Sequence, residues 1–406
     1  MGFLGKNNLK SAFTNLYRDC LMKNTKPIYA DWAATAPLCP AAADVLQRWL
    51  AEPVPANPSS VHAYGMMAAD RLAEARAALA AAAGWDGEIT FVSGGTEGLA
   101  LAVHSLVQHS LAAGRRRVIL SHLEHPAVTE AVKTYALPAG MQAEYCAVSR
   151  DGRVDMADLR ARLGDDVGFC CLMAVQNETG ICQPVAEAAA MVHEWGARLL
   201  TDAVQAAGHP ALYDGITADV LVISGHKFGA MPGTGAVFHR IPLLPLQKGG
   251  GQEHGARGGT ENLPGICSMA AAASGWGEVQ WMASHRNRLE ADFLRRMTAA
   301  GIPVQISGRN VSRIGTVSHF VFPAGPLGET LVLACDLAGL CCSAGSACHS
   351  TVPAPSPALL AMGYSETEAV SAVRLSFGPG TAAAEMEAAY RILGDMAERL
   401  YLPQTE

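Results

Sequence analysis

The segment CCSAGSACHS, residues 341–350, sets Cys341, Cys342 and Cys348 among small and hydroxylic side chains. A thiol attacks only as its thiolate, so environment decides which cysteine works. Cys348 follows SAGSA, small residues suited to carrying a thiol to a substrate. Cys341 and Cys342 continue the apolar run LAGLC and are expected to be buried. A metal site built from this trio is a poor alternative, because paired Cys-x-x-Cys spacing is missing and no His-x-x-x-His follows.

Asp202 closes ARLLTDAVQ and Lys227 closes ADVLVISGHK, 25 residues later. That separation is about what one crossover between neighbouring strand ends consumes, so the two side chains are expected in one pocket. A carboxylate and an amine so placed suit pyridoxal phosphate, whose aldehyde condenses with lysine and whose ring nitrogen an acid keeps protonated. GGTEG, with Gly95 and Thr96, follows a strand and opens a helix, which turns backbone N–H groups toward an anion. The lysine of a P-loop is absent. Ser224 and His226, just before Lys227, are placed for the same anion. His125 in SHLEHPAV is placed to stack on a flat cofactor or to move protons near neutral pH. Each residue alone reads as a salt bridge, a turn or a satisfied histidine; the set together reads as a cofactor site.

Such residues need a scaffold that gathers strand ends. EITFVSGG, RRVILSH, VGFCCLMAVQN, ARLLTDAVQ and ADVLVISGHK read as strands, and DRLAEARAALAAAAG, HPAVTEAVKTYAL and VAEAAAMVHEWG repeat apolar residues at helical spacing. This alternation is the rhythm of an α/β domain with a largely parallel sheet. In open α/β sheets ligands sit beyond the carboxyl ends of the strands, which adds His122, Asn177 and Gln205 to the candidates. After about residue 275 the polar helix HRNRLEADFLRRM and the β-like IGTVSHFVF and SAVRLSFG announce a smaller α+β unit.

The 406 residues include 50% hydrophobic and 17% charged side chains, which excludes disorder, and the net charge of −7 argues against a nucleic-acid partner. No apolar run reaches the roughly 18 residues of a membrane span. Eleven cysteines, an odd count, without a secretory leader favour a reducing cytoplasm over disulfides. Lys6, Lys10, Arg18, Lys23 and Lys26 against Asp19 leave an organellar transit peptide as the alternative to a flexible extension over residues 1–26.

SGGTEG, SHLEHPAV, QNETG, TDAVQ, SGHKFG, GGGQEHGARGGTEN, SAGSACHS and AVRLSFG stand in the order and approximate spacing of the cysteine desulfurases. From about residue 28 to 395 the chain resembles this NifS/IscS-like group of fold-type-I pyridoxal-phosphate enzymes, with the GGTEN ending closer to the nitrogen-fixation type. The resemblance implies a mostly parallel seven-stranded sheet in a large domain over 39–275. It also implies a small domain over 27–38 and 276–406 that carries the cysteine loop. Lys227 would hold the cofactor and move protons, Asp202 would pair with the ring nitrogen, Gln205 with the ring hydroxyl, and His125 would stack. Gly95, Thr96, Ser224 and His226 would hold the phosphate, with Thr260 offered by the partner of a homodimer. Asn177 would serve cofactor and substrate, Asn57 the substrate, and Arg374 the substrate carboxylate as a planar fork.

Cys348 falls on the nucleophile position. The implied reaction converts L-cysteine to L-alanine and leaves a persulfide on Cys348 for a sulfur acceptor or iron–sulfur scaffold protein, where Cys348 would at most be a transient cluster ligand. His254 stands where relatives carry Arg, and His349 where they more often carry a hydroxyl residue. The sequence ends at MAERLYLPQTE, short of the tail with which housekeeping relatives dock a scaffold, which leaves the acceptor open. A selenocysteine lyase or another aminotransferase-like enzyme is the nearest alternative reading, and a non-catalytic sulfur-relay protein the second.

Overall fold

Strands that are apolar on both faces must be covered on both faces, and that requirement builds the larger part of the molecule. The computed structural model describes residues 26–52, 57–209, 218–323, 326–344 and 354–401. After β1 (Ile28–Tyr29), which belongs elsewhere, a seven-stranded sheet forms from β2 (Glu88–Val92), β3 (Arg117–Ser121), β4 (Gln142–Cys146), β5 (Val167–Cys171), β6 (Arg198–Asp202), β7 (Val220–Ser224) and β8 (Gly235–His239). Their order is β2-β8-β7-β6-β5-β3-β4. β8 runs antiparallel to both neighbours, β2 and β7, and the other pairs are parallel.

Successive strand residues feed two different cores. Leu221 and Ile223 of β7 pack beneath α1 (Pro40–Ala51), α2 (Ala63–Ala83), α5 (Met156–Arg162), α6 (Val185–Glu194) and α7 (Leu263–Ala273). Val220 and Val222 pack on the opposite side, against α3 (Gly95–Ala112) and α4 (Pro126–Ala131). Gly98 lets α3 press onto the sheet, for a Cβ there would lie 2.7 Å from Val222 Cγ1. α2 buries Ala68, Leu72, Ala75 and Leu79 and stops at Gly84, whose φ of 63° is left-handed.

A second sheet, β12-β13-β10-β9, is antiparallel and joins β9 (Gln305–Ile306), β10 (Val317–Val321), β12 (Ser343–Ala344) and β13 (Ala372–Ser376). β1 pairs in parallel with β11 (Leu340–Cys341). Helices α8 (Met282–Ala299), α9 (Gly328–Leu337) and, after the short α10 (Pro357–Ala361) and α11 (Glu366–Ala369), α12 (Ala383–Tyr401) cover this unit, and Phe293, Phe320 and Tyr390 cluster in its core together with Ala30 from the start of the chain. The polar helix α8 still buries one face. Its Glu290 accepts from both Arg313 Nη1 and Nη2, at 2.9 and 2.7 Å.

The five apolar runs read as strands are strands. β4 and β8 complete the sheet although neither stands out in the sequence. β4 is an edge strand whose Gln142, Ala143, Glu144 and Tyr145 stay exposed or half-buried. β8 is buried throughout, but GAVFH offers only three apolar residues in a row between Gly235 and His239.

Candidate active site

The carboxyl ends of β2, β3, β5, β6 and β7 open onto one cavity of about 660 Å³. Gly95, Thr96, His125, Asn177, Asp202, Gln205, Ser224, His226, Lys227 and Arg374 all line it. Asp202 ends β6 and Lys227 lies three residues beyond β7, the adjacent parallel strand, so the spacing read from the sequence closes in space.

The anion end forms where α3 begins. Gly94 is its N-cap, and Gly95 is hemmed in: a Cβ there would lie 3.0 Å from Val204 Cγ2 and 3.5 Å from Ser224 Cβ. Only a residue without a side chain leaves this backbone open to a phosphate. Glu97, in the first turn of α3, is an anion whose charge Arg257 offsets at 3.0 Å. Burial raises its carboxyl, but hydrogen bonds from Ser93 N and Arg257 Nε overcome that and hold it below the usual range.

The acid end is Asp202, 5% exposed, whose Oδ1 accepts from Val204 N at 2.9 Å. Burial lifts its pKa to about 6 against the lowering influence of Val204 N–H and Lys227. A buried carboxylate of this kind fits a ring N–H⁺, which would supply the counter-charge that burial removes. Lys227 Nζ donates to the carbonyls of Ala33 and Ala34, both at 2.8 Å. Gln205 Nε2 also donates to Ala33 O, and His226 Nδ1 lies 3.2 Å from Thr35 Oγ1. Burial first, then Lys227, lowers the His226 pKa. His125 caps α4, with Nδ1 accepting from Ala127 N at 3.1 Å, which fixes the ring at the cavity wall. A glycine-walled anion cradle, a buried carboxylate and a lysine amine along one cavity therefore suit a flat, phosphorylated aldehyde with a basic ring nitrogen.

Another part of the lining gathers Asn177 and Arg374. Arg374 lies on β13, 4% exposed; Nη1 donates to Asn177 O and Nη2 to Asp31 Oδ1, each at 2.8 Å. Both arms of the guanidinium are thus occupied, one by a carbonyl and the other by Asp31. Glu178 adjoins it: Oε1 accepts from Ser356 Oγ at 3.0 Å, and burial raises its pKa to about 7 although Ser356 and Arg374 oppose the rise.

Two expected residues stand apart from this cavity. Asn57 is exposed and accepts from Ser59 N, and Thr260, assigned to a partner's site, is exposed as well. His122 also lines the cavity, stacked on Tyr145 with ring centres 4.5 Å apart. Cys348 and His349 lie outside the described residues, as do residues 1–25 of the N-terminal extension. Cys341 and Cys342 are half-buried rather than buried, because short β11 and β12 leave them at the rim of the smaller core. Neither is among the residues lining the cavity. The Cys342 thiol is pushed well up, first by Cys335 and then by burial, so it is a poor thiolate. His254 sits in a turn with left-handed φ of 54°, beside Glu253 at 47°. Sequence reasoning missed Asp31, Ala33, Ala34, Glu124 and Glu178. Both glutamates lie inside motifs already singled out, next to His125 and Asn177.

A class-V aminotransferase family model matches residues 28–388. The chain is 36% identical over 385 residues to a cysteine desulfurase of Cereibacter sphaeroides, covering 92% of this chain and 96% of that one. It is 34% identical over 382 residues to an IscS-like cysteine desulfurase of Mycobacterium tuberculosis, covering 90% and 95%. Among solved structures it is similar to a NifS-like protein, with a TM-score of 0.81, 26% identity, and coverage of 92% of this chain and 100% of the other. It is likewise similar to DndA from Streptomyces lividans, with a TM-score of 0.71, 30% identity, and coverage of 84% and 97%.

Proposed function

The chain belongs to the class-V aminotransferase family, and from that premise we propose that it is a pyridoxal-phosphate-dependent cysteine desulfurase. The observation that carries this reading is the convergence of Lys227, Asp202 and the glycine-walled start of α3 on one cavity. Its substrate is L-cysteine, its products are L-alanine and a sulfur atom handed to an acceptor, and the reaction belongs to sulfur mobilisation for iron–sulfur clusters or related cofactors.

Pyridoxal phosphate, when bound, supplies an electrophilic carbonyl carbon and a ring that takes up the electrons released at the substrate Cα. Gly95, Thr96, Ser224 and His226 would hold the phosphate, Asp202 would pair with the ring nitrogen, Gln205 would serve the ring hydroxyl, and His125 would close the wall beside the ring. Gln205 and Lys227 must each release Ala33 O to do so. Arg374 and Asn177 orient the substrate, whose carboxylate meets Asp31 as a competitor at the fork. Lys227 Nζ takes the proton from the substrate Cα and later delivers one to the product. The Cys348 thiolate forms a bond to the substrate sulfur as the substrate C–S bond breaks. Alanine leaves, and Cys348 keeps the sulfur as a persulfide. No outside oxidant is required, because the electron pair of the broken C–S bond stays with the substrate Cβ, which takes a proton and becomes the methyl group of alanine, and this reduction of carbon offsets the oxidation of sulfur to the persulfide level.

Organisation, assembly and compartment are part of the same proposal. Residues 39–275 form the large domain, and 27–38 with 276–406 the small one, a division supported by Ala30 packing in the core of the second sheet. Thr260, exposed and not among the residues lining its own cavity, suits donation to a second copy in a homodimer. A cytoplasmic setting keeps Cys348 reduced, in line with the absence of a disulfide among the described cysteines. An iron–sulfur scaffold or other persulfide acceptor is the proposed macromolecular partner.

The direct test supplies the full-length protein with pyridoxal phosphate, L-cysteine and a thiol reductant. Alanine and sulfide are expected in equal amounts, together with a visible chromophore. Alanine formed from selenocysteine and none from L-cysteine would transfer the assignment to a selenocysteine lyase.

Asp202→Asn is expected to divide stability from function. Burial raises the Asp202 pKa above that of the unfolded chain, so its favourable contribution is present below the ordinary carboxylate range and is lost as pH rises through about 6. At pH 7.5 the cofactor-free variant should be more stable than wild type by about 1–3 kcal/mol, a gap that narrows toward pH 4. Turnover should drop by about 10²-fold or more once the ring nitrogen loses its anion. Urea midpoints at the two pH values and the alanine assay check both parts; a variant less stable at pH 7.5 would contradict the electrostatic argument.

A further inference from the structure

Glu124 stands immediately before His125 and lines the cavity, yet the reaction above gives it no task. It is 8% exposed. Oε1 accepts from Ser121 Oγ at 2.9 Å and from Met173 N at 3.1 Å, which ties the turn after β3 to the end of β5. Oε2 is buried and has no hydrogen-bond partner among the described residues. The titratable groups facing Glu124 are Asp202 from β6 and Cys171 from β5, both close enough to feel its charge, with His125 next to it on its own turn.

Two carboxyl groups that sense one another in a dry wall do not both ionise readily, and one holds a proton. Asp202 has the Val204 N–H and the nearby charge of Lys227 in favour of its anion, and a protonated ring nitrogen would add a third. Glu124 has only neutral donors, both on the same oxygen. An ionised Glu124 would leave a buried, unpartnered anionic oxygen, among the costlier arrangements a fold can contain. Protonation removes that charge and places an O–H on the oxygen that lacks a partner.

We propose that Glu124 is a positioning residue for the ring end of the cofactor: as a neutral carboxylic acid it pins the His125 turn to β5 and leaves the anionic role to Asp202. The inference rests on the cofactor reading above and deepens it. Burial raises the Glu124 pKa to about 8, higher than that of Asp202, in the same order as the geometric argument. Glutamine copies the neutral acid, with a carbonyl for Ser121 and Met173 and a donor in place of the hydroxyl, whereas alanine copies neither.

The experiment titrates the visible absorption of the full-length holoenzyme from pH 6 to 10 for wild type, Glu124→Gln and Glu124→Ala, and measures the cofactor retained after dialysis. Wild type is expected to show a step near pH 8, as Glu124 ionises and a second anion appears beside Asp202. Glu124→Gln should lack that step. At pH 7 it should retain the cofactor at least tenfold better than Glu124→Ala. A Glu124→Gln titration curve that superimposes on wild type overturns the inference, because any step from His226, Lys227 or the cofactor itself is common to all three proteins. Equal loss of cofactor from the glutamine and alanine variants at pH 7 also overturns it, since charge rather than a neutral acid would then be required. If Glu124→Ala does not fold, the alkaline step alone decides between wild type and Glu124→Gln. Wild type that never gains a chromophore would instead sink the cofactor reading on which the inference stands.

Discussion

Cys348→Ala is expected to keep the visible chromophore and to lose sulfide and alanine formation from L-cysteine by about 10³-fold or more. The cavity proposed for the cofactor is assembled from strand ends of the large sheet, and Cys348 belongs to a segment whose described flanks are Ala344 on β12 and Ala354 at the cavity. Removing its sulfur therefore deletes the acceptor of the transferred atom without disturbing the residues around the ring. Cys342→Ala is the control: its thiol, raised by Cys335 and by burial, is held far from the nucleophilic state. Mass spectrometry after a single turnover should find one additional sulfur on wild type and none on Cys348→Ala. Full activity in Cys348→Ala would remove the nucleophile assignment and favour a lyase.

Lys227→Ala carries the other large effect. Its amine is the group placed to hold the cofactor aldehyde and to move the proton at Cα, so its loss should lower turnover by about 10³-fold or more. Borohydride reduction of wild type should fix the cofactor's mass on a peptide containing Lys227, and the variant should show no such adduct. A structural role alone would leave the adduct on another lysine. Wild-type labelling at any other residue would displace Lys227 from the mechanism.

Much of this was legible because burial on two faces writes itself as continuous apolar runs. β5 and β7 are wholly buried, and the residues that end or follow such runs are the ones that face the cavity. Asp202 and Lys227 could be paired from spacing alone, since adjacent parallel strands consume a predictable length of chain. The unreadable part consists of contacts whose two ends are far apart. Arg374 meets Asp31 across 343 residues, and Lys227 meets Ala33 across 194, and neither partner carries a local signal of that meeting. Glu124 and Glu178 were hidden for a different reason. A glutamate in a loop reads as solvated charge, and only the fold reveals that β5 and α10 (Pro357–Ala361), capped by Ser356, enclose them.

The reversed strand β8 also sets a timetable. Register places Val92 opposite Gly235 and Glu88 opposite His239, so the strand that leads into α3 pairs only with a segment made much later. At ribosomal rates of roughly 5–20 residues per second, those intervening residues take on the order of 10–30 s to emerge. Until then β2 presents an unpaired edge, and the phosphate cradle has no lysine beside it. The nascent chain thus spends that interval with a sticky strand and an incomplete site. Cofactor capture waits on Lys227 and β8, and a chaperone that shields β2 during the wait would raise the yield of active protein more than one acting on the finished chain.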